Sequence, residues 1–413
     1  MRGFRVKPHK GLIHNYKPRG MQPRRYYCKL LLHSVGVGGN RLCKAFGQLK
    51  GIGIFPDAFG ALAPVIVRQQ QIGKARLFAV VKGNGYGLGL VPLAAICRDA
   101  GVDTFCVTEV SDAKQLRGAG FTQQILMIRP TCDVDEVHQL LDLSVILTVS
   151  SPDDAAVLNG IATQRKQRIH AHVEIDTGMG RYGFLPGEMD KLLHIYSYMD
   201  GLDLCGIYTH FHSAFCNKKA TDLQMVCFRS VIRQLQEKGF DVGICHCCNS
   251  AGLLRFPNYA MDAVRVGSAI LGRLSFKGSY NLKRVGTLEA TVDELRWLPK
   301  GHTCGYGAGW RAKKPTRIAV LPVGWYNGFG CQMGNDLTRR KDSLRGIFSN
   351  LRHLIFGRKG YTVLLGGKRC RVLGHIGMLH TVVDVTNVNC KLGDKAVFDV
   401  NPLMLKGVDV VFQ

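Results

Sequence analysis

The chain has 413 residues, of which 46% are hydrophobic and 21% are charged, and its formal net charge is +25. This length and composition predict about two or three domains and a large core. No apolar run approaches the roughly 18 residues needed to span a bilayer, so no membrane partner is expected. The 15 cysteines are irregularly spaced, which favours reduced core residues and a cytoplasmic location over a disulfide framework.

The positive charge is concentrated at the start of the chain. Residues 1–56 contain twelve Lys or Arg and no Asp or Glu. Such an arm can bind nucleic acid, lie on a membrane surface or act as a targeting sequence. We interpret it as a basic, poorly ordered N-terminal extension without a binding role, because basic tails are commonly just solvated.

After Asp57, short apolar runs alternate with amphipathic segments at the spacing of repeated βα units. This pattern predicts an α/β fold in which residues 57–273 form a (β/α)8 TIM barrel, because parallel strands require long crossovers. An open doubly wound sheet is the alternative, but the sequence shows no glycine fingerprint for a dinucleotide. The eight predicted barrel strands are 78–82, 105–108, 125–128, 145–149, 171–175, 204–209, 245–248 and 264–269.

Beyond about Arg273 the sequence pattern changes to strand-like apolar runs separated by turns. We therefore predict a C-terminal β-rich domain over residues 274–413. Its predicted strands are 317–323, 361–365, 372–373, 382–385 and 396–400.

One lysine ends the first predicted barrel strand and is followed by a glycine-rich turn. In residues 78–87, the apolar run reaches Lys82 and continues as Gly-Asn-Gly-Tyr-Gly. A poorly hydrated lysine amine is neutral often enough to condense with an aldehyde, and the glycines leave room for a bulky cofactor. The segment predicts a pyridoxal 5'-phosphate (PLP) site, although a lysine at a strand end can also simply face solvent.

Groups suited to phosphate follow the last two predicted strands. In a barrel of this kind, reactive groups lie at the carboxyl ends of strands, and phosphate commonly binds after strands seven and eight. Here those ends carry residues 249–251 and 265–268. The Ser250 hydroxyl, backbone N–H groups and the charge of Arg265 suit a phosphate. Each fragment alone also matches an ordinary turn.

Taken together, the chain resembles the alanine racemases, PLP enzymes built from a barrel followed by a β domain. Seven blocks occur in the family's order, and the resemblance covers roughly residues 57–405. They are residues 80–87, 176–183, 208–211, 249–251, 264–267, 305–307 and 377–378. The resemblance implies an isomerase that interconverts L- and D-alanine and supplies D-alanine for bacterial peptidoglycan.

The resemblance also assigns roles to residues. It makes Lys82 the Schiff-base lysine and one catalytic base, and Tyr306 the opposing base. Racemisation removes a proton from one face of a planar intermediate and returns one to the other, so two acid–base groups must flank it. In the family the tyrosine comes from a partner subunit, which implies a homodimer with shared active sites. The implied cofactor contacts are Lys82, Tyr86, His210, Ser250, Arg265, Gly267 and Ser268. The implied substrate contacts are Arg181, Met378 and Asn401, and no metal is expected.

Several positions depart from the family's pattern. Glu174 stands where many relatives have a lysine that becomes carbamylated. Because a carboxylate is also an anion, Glu174 is expected to hold Arg181 directly. Further departures are at Trp325, Asn327 and Leu379.

Asn401 stands near the place where typical members have a tyrosine that touches the phosphate and crowds the substrate's methyl group. The serine-racemising relatives associated with vancomycin resistance look similar here. Asparagine is smaller and offers two donors and an acceptor. We therefore expect L-serine to compete with L-alanine, because a site that hydrogen-bonds a hydroxyl gains against the substrate lacking it. The alternative is that Asn401 and the following proline simply form a turn.

Three other functions remain open from the sequence. A PLP-binding homeostasis protein shares the barrel and the lysine, but it lacks the β domain and the opposing tyrosine. A metal-dependent barrel hydrolase would use His210 and His212, which lie on one face of an extended strand. A catalytically impaired racemase homologue would explain the unusual chain ends and Asn327.

Overall fold

The structure is a computed structural model that describes part of the chain. The described residues are 27–29, 75–276, 278, 280–282, 284–331, 346–348, 351 and 360–411. Most of the basic segment 1–56 therefore lies outside the described residues. Its described part, Tyr27–Lys29, forms strand β1, which pairs with strands of the C-terminal sheet.

Eight parallel strands close into a barrel in which spatial order follows chain order. The strands are β2 Arg76–Val80, β3 Thr104–Val107, β4 Gln124–Met127, β5 Val145–Val149, β6 Ile169–Glu174, β7 Leu202–Tyr208, β8 Ile244–His246 and β9 Ala263–Val266. They are almost wholly buried because helices cover the outside, which explains their continuous apolar sequence. The predicted α/β barrel is confirmed.

Helices connect the barrel strands and pack on their outer face. They are α1 Leu90–Asp99, α2 Val110–Gly118, α3 Val134–Asp142, α4 Pro152–Arg165, α5 Met189–Tyr198, α6 Lys218–Glu237 and α7 Ser250–Arg255. Four of them begin at a side chain that accepts a hydrogen bond from a first-turn N–H group. These N-caps are Asp133, Ser151, Asn217 and Asn249.

The turn after β2 has a left-handed backbone. The φ angles of residues 83–87 run from 52° to 85°. Glycine adopts these angles at no steric cost, whereas Asn84 and especially Tyr86 rarely do. The three glycines thus have a conformational reason beyond making room, and the strained backbone at Tyr86 is typical of a functional turn.

The C-terminal part is rich in sheet, as predicted. Its strands are β10 Thr287–Thr291, β11 Glu294–Leu298, β12 Thr303–Cys304, β13 Trp310–Arg311, β14 Thr316–Leu321, β15 Thr362–Leu365, β16 Lys368–Arg371, β17 Thr381–Asp384, β18 Lys395–Phe398 and β19 Asp409–Val411. They form a six-stranded sheet in the order β16-β15-β18-β10-β1-β19, a three-stranded sheet β11-β14-β17 and the hairpin β12-β13. The predicted strand at 372–373 is wrong, since Val372 makes only an isolated bridge.

The two parts of the chain meet at the left-handed turn. A Cβ atom on Gly87 would lie 2.2 Å from the carbonyl oxygen of Pro402, so only glycine permits this approach. Nearby, Arg273 Nη2 donates to the carbonyl oxygen of Val400 at 2.8 Å, and Arg284 pairs with Asp399 at 2.9 Å. These contacts hold the C-terminal segment beside the mouth of the barrel.

Within the part of the chain that the structure describes, no helix is both long enough and apolar enough to cross a membrane.

Candidate active site

Most of the predicted cofactor and substrate residues meet in one cavity at the carboxyl-terminal mouth of the barrel. Its volume is about 250 Å³. The predicted residues that line it are Lys82, Tyr86, Arg181, His210, Ser250, Arg265, Gly267 and Ser268. They come from loops that follow different strands, which is why only barrel closure brings them together.

Lys82 follows β2 directly and is half-buried at the cavity wall. Burial lowers the pKa of its amine below the usual value, and the positive charge of Arg181 lowers it further. Both effects disfavour the ammonium form, so more of the amine is neutral near physiological pH. A neutral amine is the form that attacks a carbonyl carbon.

One wall of the cavity suits a phosphate. The hydroxyl oxygen of Ser250 accepts from the N–H groups of Gly267 at 3.2 Å and Ala269 at 3.3 Å, which ties α7 to the loop after β9. A Cβ atom on Gly267 would lie 2.1 Å from the phenol oxygen of Tyr86. Burial raises the pKa of Tyr86 to about 12, so the phenol remains a donor. The first-turn N–H groups of a helix add further donors.

Arg265 lies on the inner face of the barrel beneath this wall and is 4% exposed. Its Nη1 donates to His246 Nδ1 at 2.5 Å, and its Nη2 donates to the carbonyl oxygen of Thr209 at 2.7 Å. The guanidinium also lies 4.8 Å from the ring centroid of Tyr208. These contacts hold a permanent positive charge in one place.

His210 is neutral in this setting. Burial lowers the pKa of its imidazole to about 3, and the charge of Arg265 acts in the same direction. Its ring therefore offers an uncharged aromatic surface at the cavity wall. An amine that is readily neutral, phosphate donors and a buried guanidinium form a set that fits PLP.

The expected contact between Glu174 and Arg181 is wrong. Glu174 is buried, and its Oε2 accepts from the phenol of Tyr208 at 3.0 Å. No ion pair joins it to Arg181 among the described residues; Arg181 is exposed and lies over the ring of Tyr182 at 5.6 Å. Burial raises the pKa of Glu174 to about 7. The glutamate side chain ends inside the barrel, short of the exposed arginine.

Three predicted residues lie outside the cavity of Lys82. Tyr306, in the β12–β13 hairpin, is 79% exposed, and Met378, between β16 and β17, is 49% exposed. Asn401 lines an adjoining cavity of about 590 Å³ that shares Tyr86 and Ser268 with the first. The Asn401 side chain accepts from the N–H of Leu403 at 3.3 Å. One chain alone therefore does not bring Tyr306 to Lys82.

Of the other departures, Asn327 has a structural explanation. It is fully buried, its Oδ1 accepts from the Gly324 N–H at 3.1 Å, and its Nδ2 donates to the Lys406 carbonyl oxygen at 3.3 Å. It thus stabilises the turn that presents Trp325, which is half exposed.

Two residues that support Arg265 are not among the site residues predicted from the sequence. His246 and His172 lie inside the barrel and are connected to Arg265 by hydrogen bonds. The feature of the sequence that could have identified each of them is a histidine within an otherwise apolar barrel strand. No group of three His, Cys, Asp or Glu in the described ranges is placed to hold a metal ion. The hydrolase alternative built on His210 and His212 therefore has no ligand set there.

A closed parallel barrel with its cavity at the carboxyl-terminal mouth, followed by a β-rich part, defines the class of two-part barrel enzymes. Two family models match this chain. The model described as "Alanine racemase, N-terminal domain" matches residues 65–275, and the model of the C-terminal domain matches residues 285–402. The chain belongs to the alanine racemase family.

Curated relatives agree with this assignment, and a solved structure shares the fold. The chain is 32% identical over 338 residues to an alanine racemase of Methylacidiphilum infernorum, covering 80% of this chain and 79% of the relative. It is 34% identical over 328 residues to one of Desulforamulus reducens, covering 78% and 82%. The crystal structure of alanine racemase from D-cycloserine-producing Streptomyces lavendulae superposes with a TM-score of 0.75 at 22% identity, covering 95% and 97% of the two chains.

Proposed function

We propose that this isomerase is a PLP-dependent alanine racemase that uses Lys82 and the partner subunit's Tyr306 as its two bases. The observation that carries the proposal is the cavity in which a half-buried lysine of lowered pKa faces phosphate donors and the fixed charge of Arg265. Membership of the alanine racemase family supports the same activity. The substrate is a small amino acid, and the product supplies peptidoglycan synthesis in the cytoplasm.

Within the cavity each residue has a task. PLP, when bound, supplies the electron-withdrawing group that acidifies the α-proton of the substrate. Lys82 Nζ removes or returns that proton on one face. Tyr86, Ser250, Gly267 and Ser268 would hold the phosphate of the cofactor. The permanently charged Arg265 would discourage protonation of the cofactor's ring nitrogen and so limit side reactions.

A second subunit completes the site in this proposal. The loops of Trp325 and Met378 pack together, because the N–H of Trp325 donates to the Gly377 carbonyl oxygen at 3.0 Å and that of Tyr326 to the Met378 carbonyl oxygen at 3.0 Å. The Tyr306 loop adjoins them, since a Cβ atom on Gly305 would lie 2.9 Å from the backbone nitrogen of His375. All four side chains of Tyr306, Trp325, Tyr326 and Met378 are at least 42% exposed. An exposed cluster of large apolar side chains is typical of an interface. We therefore propose a homodimer in which Met378 and Arg181 bind the substrate carboxylate.

L-serine is the second candidate substrate. Asn401 lines the adjoining cavity of about 590 Å³, beside Tyr86, and its Nδ2 has no hydrogen-bond partner among the described residues. An amide in this position leaves room for a hydroxyl and offers it a donor. We keep serine racemisation as an alternative within the same family.

The test combines the absorption of the purified protein with loss of optical activity of L-alanine and L-serine. We expect a cofactor-dependent absorption band and turnover of alanine. Lys82→Ala is expected to abolish both, whereas Tyr306→Phe is expected to keep the band and lose turnover. A band without turnover in the wild type would instead support a PLP carrier or an impaired homologue. Absence of any band with Lys82 intact would overturn the cofactor assignment.

A further inference from the structure

A second cavity opens at the other end of the barrel, where the strands begin. Its volume is about 340 Å³, and it lies beneath the residues that hold Arg265. Barrel interiors of this fold are normally filled by layers of side chains, and the reactive end is the carboxyl-terminal mouth. We call it the floor cavity. It is lined by Phe78, Thr104, Gln124, Leu126, Ser144, Ile146, His170, His172, Asp203, Cys205 and Ile244.

A chain of hydrogen bonds runs from Arg265 down to this cavity. Arg265 Nη1 lies 2.5 Å from His246 Nδ1, and His246 Nε2 lies 2.8 Å from His172 Nδ1. A guanidinium is always protonated and can only donate, so His246 Nδ1 must be the acceptor. Both imidazoles are neutral, because burial and the charge of Arg265 hold the pKa of His172 to about 3 and that of His246 well below the usual value.

The positions of the two histidine protons follow from the arginine. A neutral imidazole with Nδ1 as acceptor carries its proton on Nε2, so His246 donates to His172 Nδ1. By the same reasoning, His172 must carry its own proton on Nε2. His172 is 2% exposed and lines the floor cavity. Its Nε2 has no hydrogen-bond partner among the described residues, so the chain ends in an unused N–H donor.

The backbone makes room for this histidine. A Cβ atom on Gly206 would lie 2.7 Å from His172 Nε2, so the ring fits only beside a glycine. Nε2 is also not among the polar atoms that the protein encloses without a partner, and it is therefore reached from the cavity. A molecule in the cavity that brings an acceptor to this accessible N–H group gains a hydrogen bond there.

The remaining walls define what could supply the acceptor. Phe78, Leu126, Ile146 and Ile244 form an apolar belt. At its rim, His170 Nδ1 and Asp203 Oδ2 lie 2.6 Å apart, and His170 is exposed whereas Asp203 is half-buried. One N–H group cannot compensate the desolvation of a carboxylate within an apolar belt. The smaller desolvation cost of a neutral molecule with one carbonyl oxygen can be compensated by one N–H group. A cavity of about 150 Å³ already admits a molecule the size of benzene, so the floor cavity is large enough.

We propose that the floor cavity is a second binding site, which takes a small uncharged molecule with a carbonyl acceptor bound to His172 Nε2 and an apolar body against the belt. The site lies at the opposite end of the barrel from Lys82. Its existence does not depend on the racemase chemistry proposed above.

The experiment uses the full chain, with and without PLP, and N,N-dimethylacetamide as the probe, because this amide has an acceptor and no donor. Saturation-transfer NMR of the probe measures binding. We expect saturable binding with and without PLP, lowered about tenfold in affinity by His172→Phe, which removes one hydrogen bond and retains a ring. His172→Gln, which restores an N–H donor, is expected to recover most of the affinity.

Cys205→Phe tests the same cavity by filling it, and we expect it to abolish binding even if His172→Phe fails to fold. The matched controls are Cys132→Phe and His194→Phe, since both residues are exposed on the surface and neither lines the cavity. Binding should be unchanged in both. The proposal is overturned if the wild type shows no saturable binding, or if binding survives Cys205→Phe. Racemase activity plays no part in either result, so the two proposals fail separately.

Discussion

The barrel mouth and the face that carries Tyr306 differ in how they are built. At the mouth, Arg265 and Ser250 are at most 8% exposed and are held by hydrogen bonds within one chain. On the other face, Tyr306 and Met378 are at least 49% exposed. Under the proposed function, cofactor binding and proton transfer therefore have different requirements. The residues proposed for the cofactor are brought together within a single chain, whereas the proposed second base requires a partner subunit.

The strongest test of this difference is Tyr306→Phe. It removes one hydroxyl from an exposed side chain, so we expect folding and PLP affinity to stay unchanged. Racemisation should fall by about 10² to 10⁴, the usual contribution of a general acid–base group. Measured rates for both alanine enantiomers together with PLP titration check this. Equal losses of PLP affinity and of rate would show that the two regions are not separable.

Mixed dimers sharpen the same point. Lys82→Ala and Tyr306→Phe subunits, each inactive alone, are expected to regain activity when unfolded and refolded together. Half of the dimers formed at random are mixed, and each mixed dimer has one intact site of two, so about a quarter of wild-type activity should return. No recovery, with mixed dimers shown by mass spectrometry, would place both bases in the same subunit.

Substitution of Glu174 measures how much the free energy of unfolding is lowered by a charged carboxylate buried inside the barrel. Its folded pKa of about 7 exceeds its ordinary value of 4.5, so the folded state binds the proton more tightly. The corresponding stability is present below about pH 4.5 and is lost as the pH rises through 7. Glu174→Gln should therefore match the wild type at pH 4.5 and exceed it by up to about 3 kcal/mol at pH 9.

Urea unfolding of both proteins at the two pH values measures this difference. The wild type should become less stable relative to the variant only as the pH rises. A difference that is the same at both pH values would mean that Glu174 is not buried as a neutral acid.

Gly267→Ala tests how closely the mouth is packed. The added Cβ would lie 2.1 Å from the phenol oxygen of Tyr86, and overpacking of this kind costs roughly 1–3 kcal/mol. We expect a loss of PLP affinity of about tenfold or more, measured by titration. Tyr86→Phe in the same chain removes the oxygen that collides and should recover part of the stability. Additive losses in the double variant would contradict the contact.

The smallest expected effect is on substrate choice. Asn401→Tyr fills part of the adjoining cavity and removes the amide, so serine turnover should fall about tenfold relative to alanine, as differences in one hydrogen bond or methyl-sized space usually allow. Racemisation of both substrates by the wild type and the variant gives the ratio. An unchanged ratio would make Asn401 an ordinary cap of the turn that follows it.

The fold could be predicted from local sequence, and so could several of the residues that line the cavity of Lys82. Strands such as β2 are continuous apolar runs because both of their faces are buried, and Lys82 marks the end of that run. The order of strands then places Ser250 and Arg265 at the same mouth. The missed strands, among them β10 and β19, are short or contain charged residues, so they carry no clear alternation.

Sequence alone therefore determined the alternation of strand and helix, the lysine at the mouth and the family. Only the tertiary structure decided that Glu174 bonds to Tyr208 and not to Arg181, that Tyr306 does not line the cavity of Lys82 in its own chain, and that two histidines connect Arg265 to the barrel floor. The physical reason is the range of the forces involved. Burial along a strand is a local pattern of apolar residues, whereas a hydrogen-bond partner is set by which distant segments the closed barrel brings within about 3 Å.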